Sequence, residues 1–530
     1  MYQQSNDSIK EELLDDRSNN NKQNKVLSIF KFGENEEDEK NRFIKYSPLV
    51  TLLLMSLGPL SNLVSAVFET LNMYFITKKY NKKENSYAIE ILGFSAQYQT
   101  LVSIAGIFFG QCFITRVSAL IGSNEREEAA YLASDIFKLV FFVSIIVNIP
   151  MGFLINPILK FVGTPEKVLK PGFNYNFFLL LFIPFSNLFV AAQSFFQSIG
   201  KVIFLAILIS ISKVVQTLIF TPFFLFVCNV SATYMKVSKV VTDILFSFGI
   251  LIFVYWGKFS LKPTVKMLFT FKLSKHTLKS MLYPLPILFG YIGSVVPPML
   301  ILQCLTSQNQ DPNISNAIGS VFAVFTQLHS VNQALPSALG VGFLTAGNHA
   351  YGSKNIRRLK ILLFWAASLS IGFGLLFSLI FVVFNKKIAA CFINDKLELE
   401  ISSKLLPIPF YTSFQQCFGV VVYSILLILK KPLISMIPSL TQMIVLCAGC
   451  EILKVIYKND FVKIMYVYNI ADISGFIIYI SIFIYSLFLI KKVENEVIHE
   501  ELTSMSIADN LESNSNINNN ICENIGGNNK

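Results

Sequence analysis

A glutamate stands where a membrane makes it expensive. Glu69 lies inside an apolar run from Leu49 to Ile76, longer than the roughly 20 residues that cross a bilayer. An ionised carboxylate at that depth costs about 2.5 kcal/mol or more. The nearest cations in the run, Lys78 and Lys79, lie two turns or more beyond it. Such a group finds a partner on another helix, faces a wet cavity, or keeps its proton. Each of these serves coupled transport; a structural carboxylate hydrogen-bonded between helices is the plainer alternative. Pro59, ten residues earlier, withdraws one amide from the helix and lets it bend, so it reads as a hinge.

Further charges sit at similar depth. Lys213 and Asp243, near the middle of the fifth and sixth apolar runs, suggest an ion pair that offsets the desolvation of each. Lys239, four residues before Asp243, competes for it along one helix face. Asp472 is the only acid well inside a run of the second half, and reads equally as a second proton site or a hydrogen-bonded structural acid. Arg116, Asp135 and Lys138 fall near run ends, where snorkelling or a local pair accounts for them.

Uncharged polar residues mark a candidate cavity wall: Asn72, Gln97, Thr217, Thr221, Tyr291, Gln327, Gln333, Tyr411 and Gln415. Lipid does not tolerate unpaired amides, and tyrosine faces attract organic cations; at helical spacing the same residues also serve helix packing. There is no P-loop, dinucleotide fingerprint, HExxH or Ser–His–Asp order, which argues against ATP hydrolysis and soluble catalysis. A secondary transporter is expected, not an enzyme, with an H+ or Na+ gradient in place of any cofactor and no bound metal.

The elements that must position these groups follow from composition. Of 530 residues, 53% are hydrophobic, only 15% are charged, and 50 are Phe. Apolar runs of spanning length recur from Tyr46 to Ile490, which predicts an all-α polytopic membrane protein with twelve transmembrane helices. The chain divides into a disordered tail at 1–45, a first lobe at 46–256, a basic linker at 257–280, a second lobe at 281–490 and an Asn-rich disordered tail at 491–530. Lys258, Lys262, Lys266, Lys272, Lys275 and Lys279 stand in or beside the linker with no acid among them. That excess places the linker, and with it both termini, in the cytoplasm. The net charge of +11 belongs to such loops and needs no nucleic acid. The eight Cys lie mostly within spans and form no disulfide framework.

The lobes echo one another. Gly122-Ser-Asn-Glu-Arg126 returns in outline as Gly352-Ser-Lys-Asn-Ile-Arg357, an offset of 230, and Ile183-Pro-Phe185 as Ile408-Pro-Phe410, an offset of 225. Six spans per repeat give two lobes of the same topology, related by a pseudo-twofold, the arrangement of alternating-access carriers with substrate between the lobes. The residues resemble the multidrug and toxin extrusion (MATE) family over roughly 46–490. Pro59 and Glu69-Thr70 match that family's first-span Pro and Asp-Thr, with Glu for Asp. Arg116-Val-Ser-Ala-Leu-Ile-Gly-Ser-Asn124 and Ala338-Leu-Gly-Val-Gly342 … Ala350-Tyr-Gly-Ser-Lys-Asn355 match its second and eighth helix ends.

Two departures stand out. The family's fifth-span Asn and Asp-Pro are Thr217 and Thr221-Pro222 here, and the seventh span, Tyr283 to Pro298, has no acid where many eukaryotic members carry Glu. The resemblance implies an antiporter expelling organic, often cationic, compounds against H+ or Na+, hence xenobiotic efflux and multidrug resistance. A monomer is expected, in the plasma membrane or an internal vesicle or vacuole membrane, whose partners are a small organic substrate, the coupling ion and the lipid bilayer. Glu has a slightly higher intrinsic pKa and longer reach than Asp, which leans the coupling towards H+. A lipid-linked precursor flippase is one alternative and should show a large basic cavity. A major-facilitator-type carrier is another, though Gly122-Ser-Asn-Glu-Arg126 replaces that family's loop after the second span.

Overall fold

The computed structural model describes residues 43, 46–80, 88–161, 164, 166–256, 259, 261, 263–270, 275–307, 312–390, 396–458 and 460–526, the last of these beyond His499 as backbone alone. Those residues are mostly helical, with no strand among them. In the first lobe run α1 (Pro48–Tyr80), α2 (pieces Ala88–Val102, Ile104–Cys112 and Ser118–Gly122), α3 (Arg126–Phe161), α4 (Glu166–Ser198), α5 (Val202–Val214, prolonged by π turns) and α6 (Val237–Tyr255). The second lobe holds α7 (Leu285–Ser307), α8 (Pro312–Gly352), α9 (Ile356–Val383), α10 (Phe414–Ile428, preceded by Lys396–Leu405 and Pro407–Phe410), α11 (Pro432–Ile456) and α12 (Val467–Gly526). Helices prevail because a span in lipid must satisfy every backbone group within itself.

Among the described residues eleven helices are long and apolar enough to cross a membrane. The twelfth expected span, 314–345, is α8, 41 residues long. Its Gln, Asn and His side chains lower its hydropathy because much of it faces protein. The last helix departs from expectation. It runs 60 residues to Gly526, through the stretch from 491 that the sequence reads as disordered. No Pro or Gly interrupts 476–525. Its first extra turns are held against α9 by the Lys360–Glu494 pair at 2.5 Å and by Val493 and Val497 on the core. The expected tail at 1–45 lies outside the described residues, apart from Phe43.

Phenylalanine builds both lobe cores. Phe113, Phe137 and Phe195 of α2, α3 and α4 meet with centroids 4.9–5.6 Å apart. Phe325, Phe381 and Phe410, from α8, α9 and the segment before α10, make the matching cluster. Edge-to-face rings pack densely without polar atoms that lipid-side burial would strand.

The lobes join at a seam near the start of α1 and the ends of α2 and α8. A methyl at Gly342 would collide with Ser56 of α1, and one at Gly122 would lie 2.6 Å from the His349 carbonyl, so only glycine lets these backbones touch. Asn348 Nδ2 donates to the Ile114 carbonyl at 3.4 Å, and the Arg358 guanidinium donates to the Tyr46 carbonyl (2.9 Å) and Thr51 Oγ1 (2.8 Å). The His349 ring stacks on Phe43 at 4.2 Å. At the same end Lys138 pairs with Asp135 (2.8 Å) and donates to the linker carbonyls of Met267 and Thr270, while Thr277 donates to Asp135. Arg116 lies over the Tyr283 ring. These end charges make local pairs.

Candidate functional site

Pro59 leaves the Met55 carbonyl without its usual amide partner four residues on. That carbonyl accepts instead from Gln197 Nε2 of α4 at 2.7 Å, and the same amide reaches Thr345 Oγ1 of the second lobe at 3.2 Å. The expected hinge is thus tied at once to its own lobe and to the opposite one. Gly58 makes room for this, since a methyl there would sit 2.7 Å from Gln197 Oε1.

Ten residues further along α1, Glu69 Oε1 lies 3.0 Å from Lys213 Nζ of α5. Lys213 is mostly buried, 15% exposed, whereas Glu69 is 56% exposed. A charged pair facing hydrocarbon is costly, which favours water at that exposed edge. Lys213 and Thr217, four residues apart, share one helix face. Thr217 Oγ1 donates to the Phe68 carbonyl at 3.4 Å, beside Glu69. Thr221 Oγ1 donates to the Gln216 carbonyl and Ser238 Oγ, both at 2.9 Å, joining α5 to α6. The intervening backbone is π-helical at Val215–Phe220 and Phe223–Val227, on either side of Pro222, the kind of widened turn that clusters at functional sites.

The expected Lys213–Asp243 pair is not formed. Asp243, buried on α6, is held by Lys239 one turn earlier at 2.5 Å and accepts from Ser186 of α4. Lys239 also donates to Ser186 at 3.3 Å. α5 lays its Lys213 face on α1, while Asp243 turns towards α4, and a lysine on its own helix needs no tertiary reach to find it.

Sequence reasoning overlooked Lys236. It stands at the N-cap of α6, its carbonyl accepting from the Lys239 amide at 3.0 Å, and it feels the charges of Glu69 and Asp243 through space. Its ammonium forms no hydrogen bond or ion pair among the described residues. A lysine in a short connection at a span's edge looks like an interface anchor, which hid it. Gln197 was legible in principle, by asking where the carbonyl freed by Pro59 goes. Against Lys213, Lys236 and Lys239 stand Glu69 and Asp243, so this wall of the first lobe carries one positive charge in excess. Beside it Tyr175 is buried and accepts from Gln99 Nε2 at 3.0 Å, and Asn72 is buried with its Oδ1 unmatched.

In the second lobe Asp472 is 1% exposed and sits in a cage of donors. Thr412 Oγ1 donates at 2.8 Å, Gln416 Nε2 at 2.7 Å and Gln442 Nε2 at 3.4 Å, while Gln333 Nε2 donates to Gln416 Oε1 at 2.6 Å. Gln415 is buried beside this cage, Tyr411 is about half exposed and Tyr291 is partly buried. The side chains of Gln97 and Gln327 lie outside the described residues. The structure thus brings Glu69, Lys213 and Thr217 together in the first lobe and Gln333, Asp472 and the Gln415 segment together in the second, as separate centres. A pocket of about 580 Å³ near Arg116, Arg126 and Tyr131 lies at the seam end and includes none of them.

The MatE family model matches residues 60–223 and 316–450. None of the curated proteins matches the chain. Among solved structures, a MATE transporter in complex with MaL6 superposes with a TM-score of 0.74 at 12% identity, over 86% of this chain and 99% of that one. The outward-facing conformation of a multidrug resistance MATE family transporter of the MOP superfamily gives 0.73 at 13%, over 86% and 98%. A MOP superfamily transporter from Pyrococcus furiosus gives 0.74 at 14%, again over 86% and 98%.

Proposed function

The chain belongs to the MatE family of membrane transporters, and on that footing we propose that it is a proton-coupled secondary transporter of organic solutes, with Glu69 as the coupling group. One observation carries this reading: the exposed carboxylate of Glu69 is held by Lys213 of α5, 3.0 Å away, ten residues past a proline hinge. Protonation removes one charge of the pair, and the attraction goes with it. α1, still held at its last turn by Lys79 and Tyr80, can then bend at Pro59, where the Gln197 amide links the hinge to Thr345 of the second lobe, and the lobes rock.

Lys213 sets a fixed positive charge 3.0 Å from Glu69, which repels Na+ there and supports H+ over Na+. Asp472, caged by donors with no cation beside it among the described residues, is the candidate for a second proton. Antiport of an organic cation, expected from the resemblance, calls for a carboxylate free to hold that cation. Glu69 and Asp243 each already hold a lysine, so coupling at Glu69 is proposed without giving the substrate a positive charge. The basic linker argues for a cytoplasmic seam.

The test is solute-driven proton flux in proteoliposomes containing a pH-sensitive dye, for wild type and Glu69→Gln, across a panel of organic solutes. Wild type should couple at least one solute to proton movement, and Glu69→Gln should carry it without a proton or not at all. Unchanged coupling in Glu69→Gln would remove Glu69 from the mechanism.

A further inference from the structure

We propose that Lys213, Lys236 and Lys239 form a binding site for the carboxylate of an organic acid, in which Glu69 is a tethered occupant that the substrate's carboxylate replaces. This deepens the proton-coupled reading of the same site and rests on it.

The structure displays the ligand chemistry directly, because the group seated against Lys213 is a carboxylate at 3.0 Å. Of the two carboxylates in the cluster only Glu69 can leave easily. It is 56% exposed and held by one lysine, whereas the Asp243 side chain is 9% exposed and held by both Lys239 and Ser186. Lys236 adds a cation that forms no ion pair among the described residues, one turn before Lys239. It stands at the N-terminus of the 19-residue α6, whose dipole has the same sign. The charged and titratable groups at the site are Glu69 from α1, Lys213 from α5, Lys236, Lys239 and Asp243 from α6, and the buried Tyr175 hydroxyl from α4.

With Glu69 ionised the cluster holds one excess positive charge, and with Glu69 protonated it holds two. An organic cation is repelled in both states. An organic anion is attracted in both, and more strongly once the proton has arrived, so proton and anion bind together. The carboxylate solute then moves with the proton instead of against it.

Binding is read on the full chain in lipid nanodiscs, with radiolabelled benzoate, succinate and citrate as probes and tetraphenylphosphonium as the cationic comparator. At least one carboxylate should bind, weakening as pH rises. Glu69→Gln should bind it about tenfold or more tighter at alkaline pH, with the pH dependence gone, because a charge-assisted hydrogen bond no longer has to be displaced. Lys236→Gln should weaken binding about tenfold and Lys236→Arg should restore it. Melting curves and elution profiles identify folded variants; should Glu69→Gln fail them, the Lys236 pair still decides.

Several results overturn the proposal. These are tetraphenylphosphonium binding with no carboxylate bound, farnesyl pyrophosphate binding in place of every carboxylate (the mark of a lipid-linked substrate), or Lys236→Gln binding carboxylates as wild type does. Carboxylate binding without solute-driven proton flux would support this site and overturn the coupling. Proton flux driven by cations alone would do the reverse.

Discussion

Exchanging Glu69 and Lys213 for Gln, singly and together, should give two unequal losses of stability and a coupling free energy of about 1–3 kcal/mol between them. Two unit charges 3.0 Å apart attract by about 1.4 kcal/mol in water and about 5.5 kcal/mol at an effective dielectric constant near 20. This pair sits between those limits, with Lys213 15% and Glu69 56% exposed, and the desolvation of Lys213 takes back part of the gain. The asymmetry follows from the same two exposures. Glu69→Gln strands a mostly buried ammonium, whereas Lys213→Gln leaves a carboxylate that water reaches and Lys236 still attracts. Glu69→Gln should therefore cost more, by about 1 kcal/mol.

The assay is unfolding in mixed micelles at pH 8, where an ordinary carboxylate is ionised, repeated in low and high salt. A coupling that survives high salt belongs to a partly buried pair, since screening removes interactions between exposed charges. Equal losses, or a coupling below about 0.3 kcal/mol, would place the pair among surface contacts. Protonating Glu69 would then release too little energy to move a helix.

Two further substitutions probe the seam and the hinge. Gly342→Val should cost about 1–3 kcal/mol in the same unfolding assay by driving a side chain into Ser56, whereas Gly372→Ala, with nothing within 4 Å, should gain about 0.5–1 kcal/mol; equal effects would mean that the close approach at the seam matters little. Gln197→Leu should cost about 1–3 kcal/mol by leaving the Met55 carbonyl unpaired, and the loss should shrink in a Pro59→Ala background, where residue 59 regains an amide for that carbonyl; an undiminished loss would separate Gln197 from the hinge.

The architecture was legible because the bilayer leaves so few choices. A run of apolar residues long enough to cross must be a helix, and twelve such runs with echoes at offsets of 230 and 225 leave little freedom beyond two six-helix lobes. Glu69 and Pro59 were legible for a related reason, since each breaks a rule that lipid enforces. Pairing was not. The sequence gives Lys213 a depth along its helix but not a direction around it, and 100° per residue means that a small rotation trades one neighbouring helix for another. Depth alone suited Asp243, whereas packing of α5 on α1 chose Glu69. Lys236 lay at a boundary between span and loop, where sequence reading is least certain by several residues. The helical extension of α12 escaped because its polar composition speaks for disorder while its lack of Pro and Gly permits a helix.

The two halves of α1 are held by different kinds of contact, and the proposed coupling draws on that difference. At the seam, glycines at 122 and 342 bring backbones together with buried polar groups satisfied across the lobes. Such contacts hold only in one arrangement, because a small displacement strands several donors at once. Past Pro59 the helix is held to α5 by one ion pair, whose strength a single proton can change, and by the weak 3.4 Å bond from Thr217, and at its far end by Lys79 on Asn229 and Tyr80 on the Val230 carbonyl, both at 2.6 Å. In the proposed cycle proton arrival acts on the middle of α1, between the seam and those end contacts, and the seam half carries the movement to the other lobe through Gln197 and Thr345. A charge placed on the seam half would have had to break the packed contacts before it could move anything.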